Sequence, residues 1–202
     1  TVTLPTNEML KAISKAELGD DVFQEDPTVN KLEHLAAKTF NKESAIFMPS
    51  GTMANLVAVL THCHRGDEVI LGDQSHTFLY EAGGISSFGG VHSRQIKNYD
   101  DGTMSLEDIK NSIRKKDVHF PPSRLVCLEN THNRCFGMPL DKNYIDKVSE
   151  IVKNNSMLLH VDGARIFNAA TALNKSVAEL TSEVDSVSFC LSKGLSAPSG
   201  SL

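Results

Sequence analysis

The chain has 202 residues, of which 40% are hydrophobic and 22% are charged. This composition is typical of a globular protein, and the length fits roughly one domain of about 150 residues with a short extension. Twenty basic against 25 acidic side chains give a net charge of −5, which disfavours nucleic acid and anionic membranes as partners. No transmembrane run or signal peptide is visible, and the four cysteines lack a CxxC pair, as in reduced proteins. We therefore expect a cytoplasmic protein, with a mitochondrial location also open.

Short apolar runs alternate with helical patterns along the chain. The predicted strands are Ser44–Met48, Glu68–Leu71, Val91–Ile96, Arg124–Leu128, Met157–Val161 and Val184–Leu191. Several runs are continuously apolar, which is typical of strands buried on both faces. The alternation predicts an α/β fold with a mostly parallel, doubly wound sheet and helices on both faces. Because ligands bind at the carboxyl ends of such strands, the residues after each run are the candidates for function.

Three helix starts can be read between these runs. Asp26 and Pro27 supply a cap and a proline for the first turn of one helix. Ser105 begins a capping-box-like pattern, and Asp141 can cap a helix that continues through Val152.

A turn of small and hydroxyl-bearing residues follows the first run and precedes an apolar helix. It contains Ser50, Gly51 and Thr52. Such a turn points backbone N–H groups and the positive end of the helix dipole at a ligand, which suits a phosphate group. An ordinary capped helix uses the same residue types, so the local sequence leaves both interpretations open.

Two charged residues follow later runs. Asp162 comes directly after Met157–Val161, where a carboxylate is costly to bury without a positive partner. A protonated ring nitrogen or Arg165 could be that partner. Lys193 follows Val184–Leu191, where desolvation would make its amine nucleophilic, although a hydrated loop lysine is the alternative. A phosphate turn, an aspartate for a ring nitrogen and a lysine for a Schiff base are together the contacts that pyridoxal 5'-phosphate (PLP) requires.

Six motifs carry a resemblance to a known family. They are Asp20–Asn30, Pro49–Asn55, Ser75-His76 with Glu81–Gly84, Leu128–Asn133, His160–Asn168 and Leu191–Gly194. They strongly resemble the motifs of the threonine aldolases, and the similarity runs through the whole chain. The resemblance implies a PLP-dependent lyase of the aspartate-aminotransferase-like fold. Such an enzyme cleaves L-threonine or L-allo-threonine to glycine and acetaldehyde.

The resemblance also implies roles toward the cofactor. Lys193 would form the Schiff base and Asp162 would pair with the pyridine nitrogen. Ser50–Thr52 would hold the phosphate and His76 would stack on the ring. By a weaker analogy with related β-eliminating lyases, Asn133 would reach the phenolic oxygen.

Three residues are implied for the substrate. Arg165, which also counts among the cofactor-binding residues, would bind the substrate carboxylate, since its planar fork suits bidentate binding. His119 matches a family histidine near the substrate hydroxyl. His76, His119 or a water held by both could be the base, because histidine titrates near neutral pH.

The domain boundaries follow from the same comparison. Residues 1–30 would be an N-terminal segment and subunit-interface arm, and residues 31–202 a PLP-binding large domain that is incomplete at its C-terminus. The resemblance implies a homodimer or homotetramer. We expect no metal, because no further Cys or His partner lies at ligand spacing. We interpret His62-Cys63-His64 as a solvated helix end rather than a metal site. Another PLP lyase, or a truncated chain that binds cofactor or a subunit without turnover, remain the alternatives.

Overall fold

A computed structural model of the chain describes residues 2–202. In that part of the chain, five strands form one parallel sheet in the order β2-β1-β3-β4-β5. They are β1 (Glu68–Gly72), β2 (His92–Ile96), β3 (Ser123–Glu129), β4 (Leu158–Asp162) and β5 (Ser186–Ser188). The prediction of a mostly parallel α/β sheet is confirmed.

Within residues 2–202, three α-helices precede β1 and six more lie in the connections between the strands. They are α1 (Asn7–Ile13), α2 (Pro27–Phe40), α3 (Gly51–His62), α4 (His76–Leu79), α5 (Gly84–Ser87), α6 (Leu106–Ser112), α7 (Lys142–Asn154), α8 (Ile166–Leu173) and α9 (Val177–Leu180). The three predicted caps are present. Asp26 accepts hydrogen bonds at the start of α2, Ser105 at the start of α6 and Asp141 at the start of α7.

Both faces of the sheet are covered, as a doubly wound fold requires. Ile70 and Val126 pack toward α6 and α7 on one face. Val69 and Leu71, whose side chains alternate with these, pack toward α3 and α5 on the other face. Side chains of successive strand residues point to opposite faces, which explains why these runs are apolar without interruption.

The strand order places a crevice at one edge of the sheet. From β1 the chain first goes outward to β2 and then crosses to β3 on the opposite side of β1. The loops that follow β1 and β3 therefore turn away from each other at the carboxyl ends of these strands. Ligands bind in the crevice that forms where the strand order reverses in this way. The segments that follow β1, β3 and β4 all open toward this edge.

Two predicted strands differ from the structure. Ser44–Met48 is extended but forms only a single antiparallel bridge, from Met48 to Ser201. The run Val184–Leu191 contributes only Ser186–Ser188 to the sheet. Apolar character alone does not make a strand, because a partner backbone must lie alongside to receive its hydrogen bonds.

Residues 2–30 lie mostly on the surface, although Asp26 is buried. Helix α1 has no buried residue. Leu18, Val22 and Phe23 are all more than 70% exposed. In the described part of the chain, no helix combines the length and the apolar character needed to cross a membrane.

Candidate active site

A cleft of about 360 Å³ opens at the carboxyl edge of the sheet. It is lined by Pro49, Ser50, Gly51, Thr52, Asn55, His76, Asp162, Ala164, Cys190, Ser192, Lys193, Pro198, Ser199 and Gly200. Six of the nine site residues proposed from the sequence therefore share one cleft. A larger cavity of about 390 Å³ lies beside α2, α3 and β5 and contains none of these six residues.

The start of α3 forms one wall of the cleft. Ser50 accepts a hydrogen bond from the Met53 N–H at 3.2 Å, so its hydroxyl is the helix cap. Within residues 2–202, the N–H groups of Gly51 and Thr52 have no hydrogen-bond acceptor. A Cβ at Gly51 would lie 2.8 Å from the Cys190 sulfur, so the backbone approaches its neighbour too closely for a side chain. The helix therefore presents two free donors and its positive dipole end to the cleft.

Asp162 is the last residue of β4 and is only 4% exposed. Its Oδ1 accepts from the Ala164 N–H at 3.1 Å, and its Oδ2 accepts from Asn55 Nδ2 at 2.9 Å. No ion pair joins Asp162 to Arg165 in the part of the chain described here, so the Arg165 alternative is not realised. The buried carboxylate is held by neutral donors and lacks a cationic partner, which leaves it suited to one from a ligand.

Asn55 lies at the centre of the buried polar groups, on the second turn of α3. Its Nδ2 also donates to Glu81 Oε1 at 2.8 Å, so one amide nitrogen serves two carboxylates. Its Oδ1 accepts from the Ser188 hydroxyl at 2.7 Å. Sequence reasoning assigned no role to Asn55. The available signal was a polar residue in the second turn of a mainly apolar helix.

His76 stands at the start of α4 and is paired with Glu81. The distance from His76 Nδ1 to Glu81 Oε1 is 2.9 Å, and Glu81 is 4% exposed. This hydrogen bond raises the pKa of His76, and it outweighs the burial that acts in the opposite direction. The second oxygen, Glu81 Oε2, is buried without a hydrogen-bond partner. Glu81 therefore fixes the ring of His76 and strengthens it as a base.

Glu129, the last residue of β3, ties two loops to the sheet. Its Oε2 accepts from the backbone N–H of His76 at 2.7 Å, and its Oε1 accepts from the backbone N–H of Asn133 at 2.9 Å. Burial raises the pKa of Glu129 to about 7, and the nearby Asp162 adds to this. Sequence reasoning also missed this carboxylate, although it comes at a strand end as Asp162 does.

Lys193 enters the cleft from the loop after β5. It lies five residues beyond Ser188, so it does not directly follow a strand as expected. The side chain is half-buried rather than fully hydrated. The hydroxyl of Thr3 donates to the Lys193 carbonyl at 2.7 Å, which joins the N-terminal segment to the loop that carries the lysine.

Arg165 and Asn133 lie next to each other but outside the residues that line the cleft. Arg165 Nη1 donates to Asn133 Oδ1 at 3.3 Å. Arg165 is half-buried at the start of α8, and Asn133 is exposed in the loop that Glu129 holds. Both follow strands at the carboxyl edge of the sheet, so they form a polar pair on the side of the two loops.

His119 lies in the loop before β3, at the end of the sheet opposite the cleft. Its side chain is 82% exposed and contacts Asp117. The adjacent Phe120 packs on Arg114, which binds Glu68, the first residue of β1. Since β3 has seven residues, its two ends are about 20 Å apart. Within one chain, the structure does not bring His119 to the cleft.

One cluster of residues 2–202 has the composition of a metal site, and it lies in this cleft. Ligand atoms of His76, Glu81 and Asp162 lie within 4.8 Å of one another. Asn55 and the His76–Glu81 hydrogen bond already occupy these carboxylates, so the cluster is explained without an ion. The His62-Cys63-His64 segment is less solvated than expected. His62 Nε2 forms a hydrogen bond with the Ser186 hydroxyl, and Cys63 is buried, which raises the pKa of its thiol to about 12.

Comparisons with known proteins agree with this architecture. The profile of the beta-eliminating lyase family matches residues 1–202. The "Probable low-specificity L-threonine aldolase 2" of Arabidopsis thaliana is 53% identical over 205 residues, which cover 100% of this chain and 58% of the relative. The chain thus spans about three fifths of the length of the curated relatives it matches.

Two solved structures share the fold. A threonine aldolase of Leishmania major superposes with a TM-score of 0.85 at 20% identity, over 99% of this chain and 59% of the other. A high-resolution structure of SPT with PLP gives a TM-score of 0.70 at 21% identity, over 95% of this chain and 46% of the other. At these identities, the likeness concerns the fold.

Proposed function

The chain belongs to the beta-eliminating lyase family, and from this premise we propose that it carries the cofactor site of a PLP-dependent aldolase. The proposed reaction is the retro-aldol cleavage of L-threonine or L-allo-threonine to glycine and acetaldehyde. The observation that carries the proposal is that Lys193, Asp162 and the start of α3 meet in one cleft. The named aldolase relatives support the choice of reaction.

The residues of the cleft fit PLP chemically. An amine, a buried carboxylate without a cationic partner and two free backbone donors at a helix start match its aldehyde, ring nitrogen and phosphate. In this assignment the Lys193 amine would hold the aldehyde carbon by condensation with loss of water, Asp162 would accept from the ring N–H, and Ser50–Thr52 would hold the phosphate. When bound, the cofactor acts as an electron sink for the bond that breaks at the substrate Cα.

We propose that Arg165 and Asn133, the polar pair on the two loops, orient the substrate. Arg165 presents a planar guanidinium that can bind a carboxylate through two parallel hydrogen bonds. Its partner in the structure, Asn133, is neutral, so a substrate carboxylate could replace it. We assign Arg165 to the substrate carboxylate and leave Asn133 to the phenolic side of the cofactor.

His76 is the proposed base within the chain. The Glu81 carboxylate accepts a hydrogen bond from the Nδ1–H group of His76, which leaves Nε2 to receive the β-hydroxyl proton of the substrate. The raised pKa makes His76 a stronger base, and Asp162 and Glu81 nearby stabilise the positive ring that forms. The ring of His76 would also stack on the cofactor. The ring centroid of Tyr80 already lies 5.6 Å from that of His76.

His119 can take part only across subunits. Its exposed position at the opposite edge of the sheet places it on the outer surface of one chain. We propose a homodimer or homotetramer in which His119 approaches the cleft of another copy. The exposed apolar residues of segment 1–30 and its contact with the Lys193 loop support a role for that segment as the subunit arm.

The proposed location is the cytoplasm. The four cysteines are free and buried, which suits a reducing compartment. The proposed ligand is a small amino acid, and the acidic net charge supports neither nucleic acid nor a membrane surface as a partner.

A product assay tests the proposed reaction against β-elimination. The purified protein with PLP is given L-threonine, L-allo-threonine or L-serine. Acetaldehyde and glycine in equal amounts from either threonine isomer are the expected result. A 2-oxo acid and ammonia without acetaldehyde would indicate another PLP lyase, whereas cofactor binding without any product would indicate a chain that binds PLP without turnover.

A further inference from the structure

All hydrogen-bonding positions of the Asn55 amide are used, although it is only 2% exposed. The Nδ2 group donates to Glu81 Oε1 at 2.8 Å and to Asp162 Oδ2 at 2.9 Å. The Oδ1 atom faces the Ser188 hydroxyl at 2.7 Å and His160 Nε2 at 3.3 Å. These four neighbours come from β4, β5 and the loop after α4, so the amide connects separate parts of the fold.

Chemistry fixes which way this amide faces. An ionised carboxylate can only accept hydrogen bonds, so the NH₂ group must face Glu81 and Asp162. The carbonyl oxygen then needs donors, which Ser188 and His160 supply. The reversed orientation would place three oxygens together and leave a buried hydroxyl without an acceptor, which is unfavourable because buried polar groups need hydrogen-bond partners.

A series of hydrogen bonds continues behind Asn55, and each group in it donates toward Asn55. His160 is 1% exposed, and burial lowers its pKa to about 4, so the ring is neutral near pH 7. Because Nε2 donates to Asn55, the other ring nitrogen Nδ1 must accept, and Ser186 Oγ lies 2.8 Å from it. Ser186 in turn faces His62 Nε2 at 2.7 Å. The chain His62, Ser186, His160 and Asn55 thus ends on the two carboxylates.

We propose that Asn55 is a positioning residue, which holds Asp162 in place and free of a shared proton for the ring nitrogen of the cofactor. This inference rests on the proposed function, because it assigns a purpose to the bond between Asn55 and Asp162. Asn55 donates one N–H to each carboxylate, so the same amide group holds Asp162 and Glu81 side by side. Ser188 and His160 hold the amide in this orientation.

Replacement by aspartate gives the sharpest test, because it keeps the shape and removes the donor. In Asn55→Asp, a third carboxyl group would face Asp162 and Glu81. Carboxylates in contact cannot all ionise, so they would share a proton. This shared proton would then compete with the ring N–H of PLP for the Asp162 carboxylate.

The measurement compares two ligands by equilibrium titration of the purified protein. One is PLP, and the other is its 1-deaza analogue, in which a C–H group replaces the ring nitrogen. The wild-type protein is expected to prefer PLP. Asn55→Asp is expected to lose roughly tenfold or more in PLP affinity, as for one hydrogen bond to a charged group, but to bind the analogue much as before. The ratio of the affinity for PLP to the affinity for the analogue should therefore fall. A general loss of structure would instead weaken the binding of both ligands.

Two further variants complete the test. Ser188→Ala removes a donor to Asn55 Oδ1 and should reduce the preference in the same direction by a smaller factor, so it serves if Asn55→Asp does not fold. Asn98 provides the matched control, because its amide bonds the backbone of Gln74 and Gly102 outside the cleft. Asn98→Asp should keep the wild-type preference.

The outcomes separate the two proposals. A wild-type preference that survives in both Asn55→Asp and Ser188→Ala would overturn the role of Asn55 and leave the cofactor site standing. A wild-type protein that binds neither ligand would contradict the proposed function, and the inference about Asn55 would fall with it.

Discussion

Glu129 and Asp162 are paired residues at the carboxyl ends of β3 and β4. Two acidic residues thus lie side by side at the edge of a parallel sheet, and both are at least 95% buried. Their surroundings differ, because Glu129 accepts from two backbone N–H groups and Asp162 accepts from Asn55 and Ala164. Glu129 thus fixes two loops to the sheet, whereas the neighbouring Asp162 is the residue that we propose for the ring nitrogen of the cofactor.

We predict that Glu129 makes the stability of the protein decrease as the pH rises. Its folded pKa of about 7 lies above the ordinary value of 4.5. Between these values the folded state binds more protons than the unfolded state, so the free energy of unfolding falls with increasing pH. Glu129→Gln should remove this contribution, which can be measured by denaturant unfolding at a series of pH values.

His160 acts in the opposite direction and must be separated from this effect. Its folded pKa of about 4 lies below the ordinary value of 6.5, so its contribution to stability rises with pH over that window. The difference between wild type and Glu129→Gln cancels the contribution of His160. A difference that stays constant from pH 4.5 to pH 7 would contradict the prediction.

The second prediction concerns the lysine. With PLP added, the protein should show a visible absorbance band that glycine perturbs, and Lys193→Ala should lack the wild-type band. The reason is that a covalent bond to the amine places the cofactor in an environment that free PLP does not have. An absorbance titration measures this, and Lys175→Ala, at an exposed lysine paired with Glu179, is the matched control. An unchanged band in Lys193→Ala would identify a different lysine.

A third prediction addresses the His76–Glu81 pair. Glu81→Gln removes the carboxylate that raises the pKa of His76, so this pKa should fall. An NMR titration of the ring protons measures the change. If His76 is the base, the acid limb of the pH–activity profile should move to lower pH in the same variant. Glu107→Gln, at an exposed acidic residue in the first turn of α6, should change neither quantity. An unmoved His76 titration in Glu81→Gln would refute the coupling.

The fourth prediction tests the start of α3. In Gly51→Ala the added Cβ would lie 2.8 Å from the Cys190 sulfur, so either the helix start or the loop of Lys193 must move. We expect PLP affinity to fall by roughly tenfold or more, as when a single hydrogen bond to a charged group is lost. In Gly84→Ala the nearest atom would be 3.8 Å away, at ordinary contact distance, and affinity should be unchanged. Fluorescence titration with PLP compares the two, and equal affinities would show that the close approach is unimportant.

The class of fold, and the residue types that meet in the cleft, could be predicted from the order of residues along the chain. Continuous apolar runs predict strands buried on both faces, and polar residues after them predict the ligand edge. This reasoning located Asp162, Lys193 and the turn at Ser50 before their proximity was known. It worked because parallel strands bring their carboxyl ends to one edge, whatever their separation in the chain.

Tertiary structure decided which polar groups meet. Asn55 and Asp162 are separated by 107 positions in the chain, and nothing local indicates that an amide on α3 points at the end of β4. The same holds for Glu81 beneath His76 and for Glu129 beneath two loops. Their partners are set by how helices pack on the sheet, and that packing depends on side chains far away in the chain.

His119 and the Ser44–Met48 run show the same limit from the other side. A resemblance assigns His119 a role, but the direction of β3 decides that its loop lies at the far edge of the sheet. An apolar pattern suggests a strand at Ser44–Met48, but only the presence of a neighbouring backbone decides whether the strand forms. Sequence patterns report what each residue prefers to be buried against, whereas the three-dimensional packing alone selects the neighbour that satisfies it.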